Sequence, residues 1–455
     1  MALVDSVDVV ARAMTNRIVK WQHSIATMST WDPALTYEPL PVKRVAVQAT
    51  GVWLATRIML VLITLLAHAY GFAPAMPTAR SIFPANPGYG PLLLPLLTNH
   101  PLLASWDHWD ASWYLLIGTH GYDIFTAGSS DFFPMYPLQI HLLTLVFGQQ
   151  ALLPVALALS NLATLAAFIG LGLLAAHEES SGDQSAGAPA RLIMITAAYP
   201  FAFFLFAPFT EGFFLACVVF SFLSARKGWW KWAVICGFLA GLTRPTAIAL
   251  VPALAWEYGR QHGVWRRASW RQGAWRSIRW LRMLTGGLVV AGAVPFGLSC
   301  YLVFLKLHYG SFLMPIRAQV LYHGHQTWAP WKTLAVLFQH VFSPHSWTPP
   351  VALLYLDGGL LILFLVITLL NVHRLPLLYT LYMLATFYLL LTTPIPHRTE
   401  LIPSAGRYLL MSVPVFLLFS RWTRKRPWLE AVVIGGGFML QALFVLFFLT
   451  GAWIE

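Results

Sequence analysis

Long apolar runs without a polar face constrain this chain more than any other feature. Segments 45–69, 151–176, 192–208, 211–225, 232–257, 283–306, 350–370, 377–393, 407–420 and 429–451 read as helices. Charged residues make up 10% of the sequence, against about 25% in a soluble domain. The runs therefore have lipid as their solvent. Several are shorter than the roughly 20 residues needed to cross a bilayer upright, and they span only with help from neighbours or local thinning. The expected fold is all-α, a polytopic transmembrane helical bundle.

Charge sets the expected topology. The net charge of +12 sits in short loops between the runs, which is the positive-inside pattern rather than a nucleic-acid surface. The strongest cluster is 258–282, with Arg260, Arg266, Arg267, Arg271, Arg276, Arg279 and Arg282. Others are the N-terminus, Arg226–Lys231, His373–Arg374 and Arg421–Arg426. A single helix over 232–257 would put two of these clusters on opposite sides. A break at Thr243-Arg244-Pro245-Thr246 removes the conflict, because proline disfavours helix before it and lacks a donor. The alternative is one kinked helix with Arg244 snorkelling to lipid. With the break, the count is about 11 membrane segments with the N-terminus cytoplasmic. Residues 1–44 then form a cytoplasmic segment, and 45–455 form the membrane domain with an extracytoplasmic loop at 71–150. Segments 137–149 and 333–343 are interfacial or re-entrant, and 177–191 is a polar linker. No cleavable signal peptide is seen, and the first run serves as signal anchor. Cys217, Cys236 and Cys300 lie in apolar stretches and form neither a disulfide framework nor a zinc site.

The acids are few, and several gather between Trp106 and Pro137: Asp107, Asp110, Asp123 and Asp131. Asp110 sits among Trp109, Trp113 and Tyr114, with Tyr122 and Tyr136 further on. Residues 110–118 suit a short surface helix with Asp110 near its N-terminus, where the dipole favours a carboxylate that can still act as a base. Aromatic rings around an acid make a shaped, partly dry pocket. The same residues also suit a plain interfacial anchor loop, and composition does not separate the two. Within the runs, Arg57, Glu211 and Asp357 are costly charges that are either functional or ion-paired between helices. Glu211 and Arg407 are expected at the outer ends of their segments. On this topology Asp110, Glu211, Arg244 and Arg407 share one side, a base candidate with guanidiniums that can hold a phosphate. His323 and His325 form an H-x-H pair with metal-binding spacing, but loop histidines of this kind are ordinarily not ligands. No metal and no cofactor is expected.

Together these residues resemble the signature of the PIG-V family, the GPI mannosyltransferase 2 group and its bacterial relatives. The likeness runs through Trp109-Asp110-Ala111-Ser112-Trp113-Tyr114, Gly121-Tyr122 and Phe132-Phe133-Pro134-Met135-Tyr136-Pro137-Leu138. Tyr199-Pro200 and Ala207-Pro208-Phe209-Thr210-Glu211 follow, with Phe209 in the family tyrosine's place. Leu242-Thr243-Arg244-Pro245-Thr246, Tyr309-Gly310-Ser311-Phe312, Gln319, Trp328 and Gly406-Arg407-Tyr408 complete the order. The resemblance implies a GT-C fold and an inverting glycosyltransferase that uses a polyprenyl-phosphate sugar, commonly mannose. It implies Asp110 as the base, and the donor phosphate suits Arg244 and Arg407. Trp109, Trp113, Tyr114, Tyr122, Tyr136, Glu211, Gln319, Trp328 and Tyr408 are its substrate-binding candidates. Asp107 departs from the pattern as a second base, a metal ligand or a cap. The acceptor would be a glycolipid or glycan outside the cytoplasm, at the plasma membrane of a bacterium or the endoplasmic reticulum of a eukaryote. The absence of Walker and Rossmann glycine motifs agrees with a donor that is not a nucleotide. The competing readings are a transporter or flippase of a lipid-linked sugar, and a non-catalytic membrane subunit.

Overall fold

The computed structural model describes residues 42–73, 90–122, 128–179, 187–265, 278–343, 348–398 and 401–452. The N-terminal segment up to residue 41, Asp123, and Arg266, Arg267, Arg271 and Arg276 lie outside them. The described residues are helical and contain no strand. The first helix is α1 (Val42–Ala69), followed by α2 (Asp110–His120), α3 (Met135–Phe147), α4 (Leu152–Glu178) and α5 (Ala188–Ala197). Then come α6 (Glu211–Arg226), α7 (Trp230–Thr243), α8 (Leu250–Gln261), α9 (Ile278–Tyr309) and α10 (Pro330–Phe342). The last are α11 (Pro349–Leu370), α12 (Leu377–Thr392), α13 (Ala405–Leu409), α14 (Val413–Thr423) and α15 (Pro427–Leu449). Among the described residues four helices are long and apolar enough to cross a membrane: α1, Gln149–Glu178, Trp280–Tyr309 and α15. Shorter apolar helices include α3, α5, α7 and α12.

Proline and local geometry divide three of the expected runs. The run at 192–208 stops at Ala197 ahead of Pro200 and continues as a 3-10 turn, Ala202–Leu205. The run at 407–420 is not one helix: α13 ends at Leu409, and α14 restarts at Val413 with Pro414 in its first turn. At 232–257 the break lies where the sequence puts it. Arg244 is extended, with φ −154° and ψ 146°, and Pro245 opens a 3-10 turn before α8.

Ion pairs reveal the two ends of the bundle. Arg226, at the C-terminus of α6, donates to Glu178 of α4 at 2.6 Å and to Glu257 of α8 at 3.3 Å. Glu257 also accepts from Arg260 at 2.6 Å, and Tyr379 of α12 donates to Glu178 at 2.8 Å. The Arg226 loop and the start of the 258–282 loop therefore share one end. The N-terminus of α6 and the α7–α8 break face the other.

Small residues let α7 and α9 approach backbone to backbone. A Cβ on Gly297 would strike the Phe238 carbonyl oxygen, and one on Gly241 would strike that of Val294. Packing of this kind takes the place of a hydrophobic drive between helices in lipid. Gly297→Val is expected to lower the melting temperature in detergent by several degrees. Gly292→Ala is the control, because its Cβ meets nothing within 4 Å. Equal melting of both variants in a thermal unfolding assay would exclude this packing.

Candidate active site

Two non-glycine residues with positive φ stand out among the described residues: Trp109 at 57° and Ser404 at 63°. Each costs of the order of 1–3 kcal/mol unless its surroundings hold it. Trp109 directly precedes Asp110 at the start of α2, and Ser404 precedes the short helix that carries Arg407. The strain thus falls on the two turns that aim one carboxylate and one guanidinium. Gly406 is clamped from both sides: its N–H donates to Asp357 Oδ1 at 2.8 Å, and its carbonyl accepts from the Tyr199 hydroxyl at 2.8 Å. A Cβ at Gly406 would meet the Phe201 ring. Asp357, expected as an inter-helix ion-pair or functional charge, thus fixes the turn beside Arg407.

The clamped turns meet in a four-membered charge cluster. Arg407 Nη2 donates to Asp110 Oδ2 at 2.7 Å, and its Nε lies 2.8 Å from Glu211 Oε1. Arg244 Nη1 donates to the same Glu211 oxygen at 2.5 Å. Both acids open helices and Arg244 follows the end of α7, so each faces the favourable pole of a helix dipole. The guanidiniums also lie over rings: Arg407 is 5.2 Å from the Phe209 centroid and 5.4 Å from Phe204, and Arg244 is 5.2 Å from Tyr408. Phe209 is therefore one of the faces on which Arg407 rests. Glu211 opens its helix as expected. It is fully buried, because two guanidiniums supply the counter-charge that water would otherwise provide. The Asp110 side chain keeps 27% exposure against 0% for Glu211.

The aromatic candidates divide by their contacts. Tyr408 lies in the cluster, and Trp113 stacks on Phe132 at 5.5 Å beside it in the loop. Tyr114 is buried edge-on against Phe132, Tyr136 and Phe209. Tyr136, a substrate-binding candidate, is fully buried and donates its hydroxyl to the Ala156 carbonyl at 2.7 Å. It therefore buttresses Tyr114 and has no surface left for a ligand. Tyr122 donates to the Phe132 carbonyl at 2.7 Å and fixes the loop. The Trp328 backbone N–H donates to the Thr392 carbonyl at 3.1 Å, its indole N–H donates to Gln326 Oε1 at 3.1 Å, and Lys332 sits 4.0 Å over its ring. Gln319 lies in a π-helical turn, Gln319–His323, whose side chains approach Asp131.

Asp107 has a different setting. It does not cap α2 and does not touch the guanidiniums. It is 2% exposed, accepts from the Ser112 hydroxyl at 3.0 Å, and leaves Oδ2 buried without a hydrogen-bond partner. Burial pushes its carboxyl up to about 7, against the smaller opposing effect of Ser112. Among the described residues no group of three His, Cys, Asp or Glu side chains could hold a metal ion. Among the described residues Arg57 has no acidic partner. Its guanidinium donates to Asn161 Oδ1 at 2.7 Å, Thr56 Oγ1 at 3.0 Å and the Leu205 carbonyl at 3.0 Å. No protein-family model, curated protein or solved structure matches the chain.

Two outcomes follow. Glu211→Gln leaves two buried guanidiniums short of a countercharge and is expected to cost about 3–5 kcal/mol of stability. A melting temperature equal to that of the parent protein would refute the pairing. For Asp107, the folded state holds a proton that the unfolded state has already released, from about pH 4 up to the raised value. Stability therefore falls as pH rises through that window. Asp107→Asn removes the penalty, so its gain in melting temperature is expected to grow from about pH 4 to about pH 7 and then level off. A gain independent of pH would show that Asp107 is not held neutral by burial.

Proposed function

We propose that this chain is a GT-C-type membrane glycosyltransferase of about 11 membrane segments, similar to the PIG-V group. In this reading it moves a sugar, with mannose the first choice, from a polyprenyl-phosphate donor to a glycolipid or glycan on the extracytoplasmic or lumenal side. The observation that carries the proposal is the half-open carboxylate of Asp110, aimed by a strained turn and held by Arg407 inside an otherwise buried charge cluster. Arg407 grips one carboxylate oxygen, and the other takes the proton of an acceptor hydroxyl. That hydroxyl oxygen attacks the anomeric carbon from the face opposite the lipid phosphate and inverts the centre. The rings of Trp113 and Tyr408 suit the faces of a sugar, and alignment of the two substrates supplies much of the rate.

The motif resemblance gives Arg244 and Arg407 to the donor phosphate. Both already face carboxylates, and the four charges balance. They serve that role only if the phosphate takes the place of Asp110 or Glu211 on a guanidinium, which would release Asp110 as the acceptor arrives. A flippase reading asks for an available charge within a span. The hydrogen bonds of Arg57 are taken up by Asn161, Thr56 and Leu205, which gives that reading no support.

Asp110→Asn keeps the shape and an acceptor for Arg407 but removes the base. It is expected to lower release of lipid phosphate from decaprenyl-phosphomannose by about 10²–10⁴-fold, with folding retained. Normal turnover by the purified variant would reject Asp110 as the base.

A further inference from the structure

A second acid stands beside the cluster with its own partner. Asp131 ends the turn Ser129–Asp131, which is pinned where the Tyr301 hydroxyl donates to the Ser130 carbonyl at 2.9 Å. His323 comes from the segment between α9 and α10, at the end of the π-helical turn Gln319–His323, ahead of Gly324 at φ 74°. π-Turns of this kind are frequent at functional sites. His323 Nε2 lies 3.3 Å from Asp131 Oδ2, and the two side chains differ sharply in exposure, 45% for His323 and 5% for Asp131. A buried carboxylate behind a half-exposed imidazole is the arrangement that orients a ring and stabilises its charged form. With Nε2 held by Asp131, Nδ1 is the nitrogen left to meet a ligand.

We propose that His323 is the second proton-handling group of this site, donating from Nδ1 to the phosphate that leaves with the polyprenyl chain, with Asp131 as its positioning residue. The inference rests on the glycosyltransferase reading. The bond from the anomeric carbon to the phosphate oxygen breaks as the bond to the acceptor oxygen forms. The acceptor proton passes to Asp110. The Nδ1 proton of His323 passes to a non-bridging phosphate oxygen, so polyprenyl phosphate departs as a monoanion. Water then returns a proton to His323 and takes one from Asp110. The net change is one proton moved from acceptor to phosphate. This step relieves Arg244 and Arg407, whose charges are already matched, of neutralising the leaving group alone.

The groups acting on His323 set its pH range. The close Asp131 carboxylate raises it above the ordinary imidazole value, and the charge of Asp110 acts in the same direction; burial and Arg398 oppose them. Asp131 is itself raised by burial, against the opposing effect of His323. His325, with its ring 6.2 Å from that of His323, is lowered by burial and is tied to the Thr393 carbonyl at 2.8 Å. Donation by His323 is therefore complete below about pH 6.5 and is lost as pH rises through its elevated value.

The test uses the purified full-length chain in nanodiscs, with decaprenyl-phosphomannose as donor and a membrane glycolipid extract as acceptor. Release of decaprenyl phosphate is followed against pH. The parent protein is expected to lose kcat on the alkaline side. His323→Gln is expected to lower kcat by about 10²-fold and abolish that alkaline limb, with little change in KM for the donor. Asp131→Asn is expected to shift the limb to lower pH, and His325→Gln to leave it in place. If His323→Gln fails to fold, the shift in Asp131→Asn decides the matter alone. An unchanged alkaline limb in either variant overturns the role of His323 while leaving Asp110 untouched. No release from the parent protein at any pH overturns the glycosyltransferase reading and this inference with it.

Discussion

A guanidinium buried in an apolar bundle must find its countercharge inside the protein, and this requirement organises the end of the molecule that holds the candidate site. Arg244 and Arg407 are almost fully enclosed, and Glu211 stands between them as a shared acceptor. Removing one partner from such an arrangement costs far more than the pair gains when intact. Three segments distant in sequence are therefore tied together: the start of α6, the break between α7 and α8, and the short α13. Asp110 joins from a fourth, and it is the member that retains contact with the exterior.

The opposite end of the bundle is held by a second network with different consequences. Arg226, Glu178, Glu257, Arg260 and Tyr379 gather the ends of α4, α6 and α8 and the start of α12. Because α6 runs from Glu211 to Arg226, a single helix joins the two networks. The break at Arg244 and Pro245 has its reason here: α7 must leave the basic end and α8 must return to it. The same reversal delivers Arg244 to Glu211. Topology and site geometry are thus one fact seen at two scales.

Much of this was legible in the sequence, and the exceptions have physical causes. Apolar runs and basic loops located the helices, and a proline after an arginine located the break. The grouping of Asp110, Glu211, Arg244 and Arg407 followed from topology. The division at Leu410–Ser412 was not legible, because Gly406 is clamped by Asp357 and Tyr199 from distant helices and no local propensity signals such a clamp. The strain at Trp109 and Ser404 was hidden for the same reason: positive φ at a non-glycine residue is imposed by surroundings, not by residue type. Tyr136 misled because a tyrosine in an aromatic motif looks the same whether its hydroxyl meets a ligand or a backbone carbonyl.

The carboxylates around the loop show how one functional group acquires several characters. Glu211 has two cationic neighbours and no exposure, so its charge is spent on holding guanidiniums. Asp107 has a hydroxyl neighbour and no exposure, so burial favours its neutral form. Asp131 has an imidazole neighbour and little exposure, so its close polar contact is with that ring. Among the described acids of this loop, Asp110 combines a single guanidinium with an open side. A general base needs a fixed orientation, a carboxylate form and a path for the incoming proton. Fixation comes from Arg407 and the strained Trp109 turn, and the path comes from the exposed edge. Of these four acids, Asp110 is the one whose surroundings provide both fixation and an open edge.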